Sequence, residues 1–128
     1  MEKDFDNWNK LKKSMNLKNL IPLFSEREIW NCSLGLNVGS EEDGKGINHL
    51  RPMLIVRKFN KEIFYGIPIT SKIKNDIFHI QINSGEVNGS LILSQMRLID
   101  AKRLSYLMGK ITEKEMSQIK EKLKALFP

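Results

Sequence analysis

Arg51 opens the run Leu50-Arg51-Pro52-Met53-Leu54-Ile55-Val56, and Thr70 ends the run Ile67-Pro68-Ile69-Thr70 just before Ser71-Lys72. A guanidinium is a permanently charged fork of donors, and next to an alcohol it suits a phosphodiester better than a hydrophobic core. Taken singly, each residue also has a plain reading: Arg51 as the cap of a strand, Thr70 as an ordinary turn residue. Their flanks decide whether they meet. Residues 53–56 and 63–69 are apolar and partly β-branched, and Phe59-Asn60-Lys61 between them is polar, so the stretch reads as a hairpin. In an antiparallel hairpin the start of one strand lies beside the end of its partner, which makes Arg51 and Thr70 expected neighbours.

Other reactive groups are few. Cys32 is the only cysteine, which excludes an internal disulfide and a cysteine-based zinc site, and in Ile29-Trp30-Asn31-Cys32 it reads as a small buried hydrophobe on a strand. His49 and His79 are the only histidines and stand in unlike settings, so no metal and no cofactor is expected. Twenty-one Lys and Arg against fifteen Asp and Glu leave a net charge of +6, which favours polyanions or acidic partners. Acidic residues gather at Glu41, Glu42 and Asp43, whereas Lys72, Lys74, Arg97, Lys102, Arg103 and Lys110 lie beyond the central hairpin, leaving a positive face.

At 128 residues the chain is expected to form one compact unit. No apolar run is long enough to cross a bilayer, and Met1-Glu2-Lys3-Asp4 has no apolar signal core, so the expectation is a cytoplasmic protein without a membrane partner.

The elements that must position Arg51 and Thr70 follow from periodicity. Phe5, Trp8, Leu11 or Lys12, and Met15 recur at helical spacing, predicting an amphipathic helix from Asp4 to about Asn16. Residues 28–34 read as a first strand. Residues 35–50 have neither period and carry four glycines, so they read as a long exposed loop, either functional or a disordered insertion. Residues 78–82 alternate, with His79 on the wetter side; 83–89 are turn chemistry; and 90–99 read as one long strand. On that strand Gln95 and Arg97 share a face opposite Ser94, Met96 and Leu98. A turn over 100–103 and a short apolar segment at 104–108 precede a last helix. Thr112-Glu113-Lys114-Glu115 is a capping box, and Met116, Ile119, Leu123 and Leu126 form the stripe that should pack on the sheet.

In order and spacing, Glu28-Ile29-Trp30, Gly39-Ser40-Glu41, the Arg51 run, the Thr70 run with Ser71-Lys72, and Leu93-Ser94-Gln95-Met96-Arg97-Leu98-Ile99-Asp100 resemble the MazF/PemK (Kid) toxin family. The resemblance implies a mostly β, α+β fold: a small SH3-like β-barrel of the CcdB/Kid/MazF type over residues 26–128, closed by a C-terminal helix. Residues 1–25 are then an additional N-terminal helical extension. It also implies a homodimer that binds single-stranded RNA in a shared groove and cuts it without a metal, leaving a cyclic phosphate and a free 5′ hydroxyl. An acidic, partly disordered cognate antitoxin would inhibit it, and the toxin–antitoxin pair would bind operator DNA. Carried over by position, the catalytic residues are Arg51, Thr70 and Glu41, and the RNA-binding residues are Ser71, Lys72, Gln95 and Arg97. Glu41 is the first candidate for the base and His79 a distant second. Three departures from the family pattern stand out: Arg51 follows Glu41 by ten residues, a longer reach than the family's; Ser94 stands where relatives often carry an acid; and the N-terminal helix from Asp4 to about Asn16 is additional to the minimal family domain, placed either to cover the groove or to extend the dimer. The same fold also admits a binding module that does not cleave and a gyrase-targeting toxin that works through protein contacts.

Overall fold

The computed structural model describes residues 2–127. Seven strands form one curled antiparallel sheet: β1 (Glu28–Ser33), β2 (Leu50–Lys58), β3 (Ile63–Thr70), β4 (His79–Ser84), β5 (Val87–Ile92), β6 (Arg97–Asp100) and β7 (Leu104–Lys110). Their order is β4-β5-β3-β2-β1-β7, with β6 also paired to β3. Strand β3 is the branch point. Its first half, Ile63 to Gly66, pairs with β6, and its last two residues, Ile69 and Thr70, pair with β5. The sheet curls until its outer strands nearly meet, where the Ser84 hydroxyl donates to the Lys110 carbonyl at 3.1 Å. This is the small barrel-like α+β fold expected from the resemblance, with a helix at each end of the chain.

Alternation along the strands divides the interior in two. Leu54 and Val56 of β2 and Ile67 and Ile69 of β3 join Ile29, Leu91 and Ile111 under helix α2 (Glu113–Lys124). The opposite face carries Met53 and Ile55 with Cys32, Phe24, Phe64 and Ile99. Helix α2 starts at the expected capping box: the Thr112 hydroxyl accepts from Glu115 N–H, and the Glu115 carboxylate accepts from Thr112 N–H at 3.0 Å. Its Met116 and Ile119 are buried, and Leu123 and Leu126 pack against the same core.

Helix α1 (Phe5–Asn16) buries Trp8 and Met15 and leaves Phe5 exposed. The Trp8 ring lies edge-on to His49, with centroids 5.4 Å apart, and directly against the backbone of Gly35. A Cβ at Gly35 would sit 2.1 Å from that ring, and its φ of +79° is left-handed, so both space and conformation require glycine there.

Two expectations change. Residues 90–99 are not one strand: a 3-10 turn at Leu93–Gln95 separates β5 from β6. The chain pairs with the two ends of β3 in succession, and a straight strand cannot follow both ends of so strongly coiled a partner. The turn is anchored by buried Leu93, whose N–H donates to Phe78 O at 2.8 Å. The expected turn at 83–89 contracts to Gly85-Glu86, because Gly85 at φ +58° allows a tight reversal and its flanks pair as strand. The stretch from 35 to 50 is folded rather than a loose insertion, with Lys45 and Leu50 bridged to each other and Gly44 N–H bonded to Gly35 O. Among the described residues no helix is long and apolar enough to cross a membrane.

Candidate functional site

Strands β2 and β3 pair with Met53 opposite Pro68. The paired ladder ends there, so Arg51 and Thr70 each lie two residues beyond it, at the open end of the hairpin. Both residues are buried, Arg51 at 6% and Thr70 at 8% exposure. The Arg51 Nη1 donates to Ile69 O at 3.1 Å, one residue short of Thr70, and the Thr70 hydroxyl accepts from Lys72 N–H at 3.3 Å. Thr70 also faces Ser90 across β5, where Gly89 comes so close that a Cβ on it would lie 2.0 Å from Thr70 O.

What buries Arg51 is the segment between β1 and β2. Arg51 Nη2 is 2.7 Å from Glu42 Oε1, and Nε donates to the backbone carbonyl of Asp43. That segment is itself held at several points. Glu42 N–H donates to Gln95 Oε1 at 2.6 Å, and the Asp43 carboxylate accepts from Asn37 N–H at 2.6 Å and pairs with Lys3 Nζ at 2.9 Å. Lys3 Nζ donates as well to Asn37 O at 2.7 Å. The segment thus acts as a cover tied to the 3-10 turn before β6 by Gln95 and to the N-terminal residues by Lys3. Burial pulls the Arg51 guanidinium below its ordinary pKa, and the charges of Glu42 and then Asp43 oppose that pull, so a buried cation stays charged against two acidic neighbours.

The Glu42–Arg51 pair divides the surface around it into two hollows. One, of about 570 Å³, is lined by Glu41, Glu42, Asn37, Pro68, Gln95 and Arg97. The other, of about 220 Å³, is lined by Arg51 with Lys45, Ser71, Glu86 and Asn88. Glu41, Gln95 and Arg97 therefore gather on one side of the pair, and Arg51 and Ser71 on the other. Gln95 and Arg97 share a hollow with Ser94, although unbroken alternation along one strand would put Ser94 on the opposite face; the 3-10 turn removes that alternation. Lys72 is exposed and lines neither hollow.

Glu41 turns its carboxylate to Val38 N–H at 2.8 Å, so the acid that meets Arg51 is its neighbour Glu42. His79 is paired with Asp76 at 2.6 Å on β4 and lines neither hollow. The sequence marks the acidic run 41–43 but not Glu42 within it, because which of three adjacent acids turns inward depends on loop bonds such as Asn37 to Asp43. Lys3 carries no signal at all. Among the described residues, no group of three or more His, Cys, Asp and Glu side chains is placed to hold a metal ion.

Residues 25–127 match the family model described as PemK-like, MazF-like toxin of type II toxin–antitoxin system. Solved structures share the fold at low identity. An endoribonuclease from a mycobacterial species, solved in complex with its cognate antitoxin, aligns with TM-score 0.64 and 17% identity over 83% of this chain and 98% of its own. MazF from Deinococcus radiodurans aligns with TM-score 0.62 and 17% identity over 84% of this chain and 97% of its own. A MazE–MazF structure from the same organism gives 0.57 and 15%, over 84% and 96%. No protein of curated function matches the chain.

Proposed function

Because the chain belongs to the PemK-like, MazF-like toxin family of type II toxin–antitoxin systems, whose members are endoribonucleases, we propose that it is a metal-independent endoribonuclease that cuts single-stranded RNA. The observation that carries this reading is the buried Arg51 guanidinium at the open end of the β2–β3 hairpin, bonded to the carbonyl of Ile69 next to Thr70 and lining a hollow with Ser71.

A ribose 2′-OH attacks the adjacent phosphorus, its proton goes to a base, and the P–O5′ bond breaks while the 5′ oxygen takes a proton from solvent water, leaving a 2′,3′-cyclic phosphate and a 5′ hydroxyl. Negative charge builds on the non-bridging oxygens. Arg51 donates to those oxygens once it is released from Glu42, an interaction that strengthens as charge develops. Thr70 orients the phosphate or the leaving oxygen through its hydroxyl. A guanidinium, which keeps its proton at neutral pH, is a poor proton acceptor, so the base comes from the acidic cover. Glu41 is free to serve, since only a backbone N–H in an exposed turn holds its carboxylate. Gln95 and Arg97 line the larger hollow and Ser71 the smaller one, where bases and flanking phosphates would lie, with exposed Lys72 beside them. The active form is a homodimer, in the cytoplasm, restrained by an acidic antitoxin with which it binds operator DNA.

The test is to incubate the purified protein with single-stranded RNA in a chelator and map the ends. Cuts that leave cyclic phosphates, abolished in Arg51→Ala and Thr70→Ala, support the reading. If both variants cut as fast as the parent, the site is elsewhere; if RNA binds and stays whole, the chain is a binding module.

A further inference from the structure

The hollow at Arg51 continues beyond the barrel. It shares Leu50 with a second depression of about 190 Å³, lined by Ser33, Asn48 and Ser105 and, from the N-terminal helix side, by Leu11, Ser14 and Lys18. That depression shares Met15 and Arg103 with a cleft of about 360 Å³ between α1 and the 3-10 turn Ala101–Arg103. The three hollows are neighbours, each sharing lining residues with the next, in a row from the guanidinium to α1, referred to below as a trough.

The trough is basic along its length. Lys12, Lys13, Lys102 and Arg103 line the far cleft, Lys18 the middle and Lys45 the near end. Among the described residues none of these six forms an ion pair. Among the described residues the only carboxylates lining it are Asp100 at one end and Glu86 at the other, and Asp100 already accepts from Lys102 N–H at 2.9 Å. Arg103 is fixed rather than free: Nη1 donates to Ser33 O at 3.2 Å, and its guanidinium stands 5.8 Å from the Trp8 ring centroid. A fixed cation at the junction, lysines on both sides, and Asn9, Asn16 and Asn48 between them suit a chain of phosphates spaced along a strand.

We propose that α1 and the Ala101–Arg103 turn form an accessory phosphate-binding trough, which holds the nucleotides flanking the RNA bond at Arg51. This rests on the single-stranded RNA reading above. A short substrate fills only the hollow at Arg51; a longer one also occupies the trough and gains affinity from it.

The probes are 2′-O-methyl oligouridylates, which lack the attacking hydroxyl, in lengths of about 5 and about 16 nucleotides, within the range of known single-strand site sizes. They are titrated onto the full chain and onto Lys12→Gln/Lys13→Gln, with circular dichroism to confirm that the helix persists. Each single-strand phosphate that a lysine ceases to neutralise lowers the salt slope by about 0.7, so for the longer probe the slope should drop by about 1.4 and the affinity roughly tenfold at low salt. The short probe should bind unchanged. Equal reductions for both lengths, or none for either, overturn the trough. A polyglutamate of equal length whose binding depends on the two lysines, while RNA binding does not, overturns it in favour of an acidic peptide. Should the parent cut no RNA while the length-dependent reduction persists, the nuclease reading fails and the trough stands.

Discussion

Arg51 Nη2 and Glu42 Oε1 lie 2.7 Å apart, with the arginine side chain 6% exposed and the glutamate 24%. The carboxylate holds Nη2, while Nη1 and Nε donate to the carbonyls of Ile69 and Asp43, so all three nitrogens are engaged. Phosphate binding at Arg51 must therefore displace Glu42. Removing the charge while keeping the size, as in Glu42→Gln, should weaken the closed cover and tighten binding of 2′-O-methyl RNA several-fold, since about 1 kcal/mol is roughly a fivefold change. Native stability should fall by about 1–2 kcal/mol, because a mostly buried arginine is deprived of a partner that is itself partly solvated. Urea unfolding and RNA titration check both; unchanged values in each would mean that the pair restrains nothing.

Gly89 sets the position of Thr70. With a Cβ only 2.0 Å from the Thr70 carbonyl, Gly89→Ala must push β5 away from the end of β3. We expect cleavage to fall by about two orders of magnitude, the size of effect that a misplacement near 1 Å produces. Single-turnover rates on an RNA of fixed sequence would read it, and wild-type rates would show that Thr70 need not be held there.

Trp8 carries the docking of α1, through Gly35, His49 and Arg103. Truncating a buried aromatic costs about 3–5 kcal/mol where the site cannot collapse. For Trp8→Ala the destabilisation should appear as faster amide exchange over residues 5–16 and the cover, with the strands still protected. That pattern would also support residues 1–25 as an extension on a self-standing domain over 26–128. Uniformly faster exchange would make the helix integral to the barrel.

The parts of the fold that a linear pattern encodes are legible in the chain. The β2–β3 hairpin, with Arg51 and Thr70 at its open end, follows from two apolar runs around a polar turn. The Thr112–Glu115 box and the stripe from Met116 to Ile119 follow from local chemistry. What stays hidden depends on how distant segments meet. The break at Leu93–Gln95 arises because one chain must pair with both ends of a coiled β3, which alternation alone does not reveal. The choice of Glu42 over Glu41 at Arg51 is made by bonds from Gln95, Asn37 and Lys3, up to 53 residues away in sequence.

Cys32 stands opposite Arg51 on the β1–β2 ladder and is packed in the core, with no exposed surface. Burial pushes its thiol well above the ordinary range, opposed only weakly by the charge of Arg103, so no thiolate is available at neutral pH. Native protein should resist alkylation by iodoacetamide over hours and label promptly in denaturant. Rapid native labelling, followed by mass spectrometry, would mean that β1 opens far more often than its packing implies.

Acid should loosen the approach to β4 before it unfolds the barrel. Asp76 accepts from the His79 ring and from Phe78 N–H, and these bonds, in that order, hold its carboxyl below the usual carboxylate range. A depressed carboxyl stabilises the folded state fully above its unfolded value, about 3.9, and that contribution disappears as pH falls through the folded value. The affected window therefore lies below about pH 4. Carbon-detected NMR should place the Asp76 midpoint below about 3.9, and Asp76→Asn should flatten that part of the acid limb by lowering stability near neutrality while leaving it unchanged at the acid end. A midpoint at or above the unfolded value would show that the His79 and Phe78 bonds do not persist in solution.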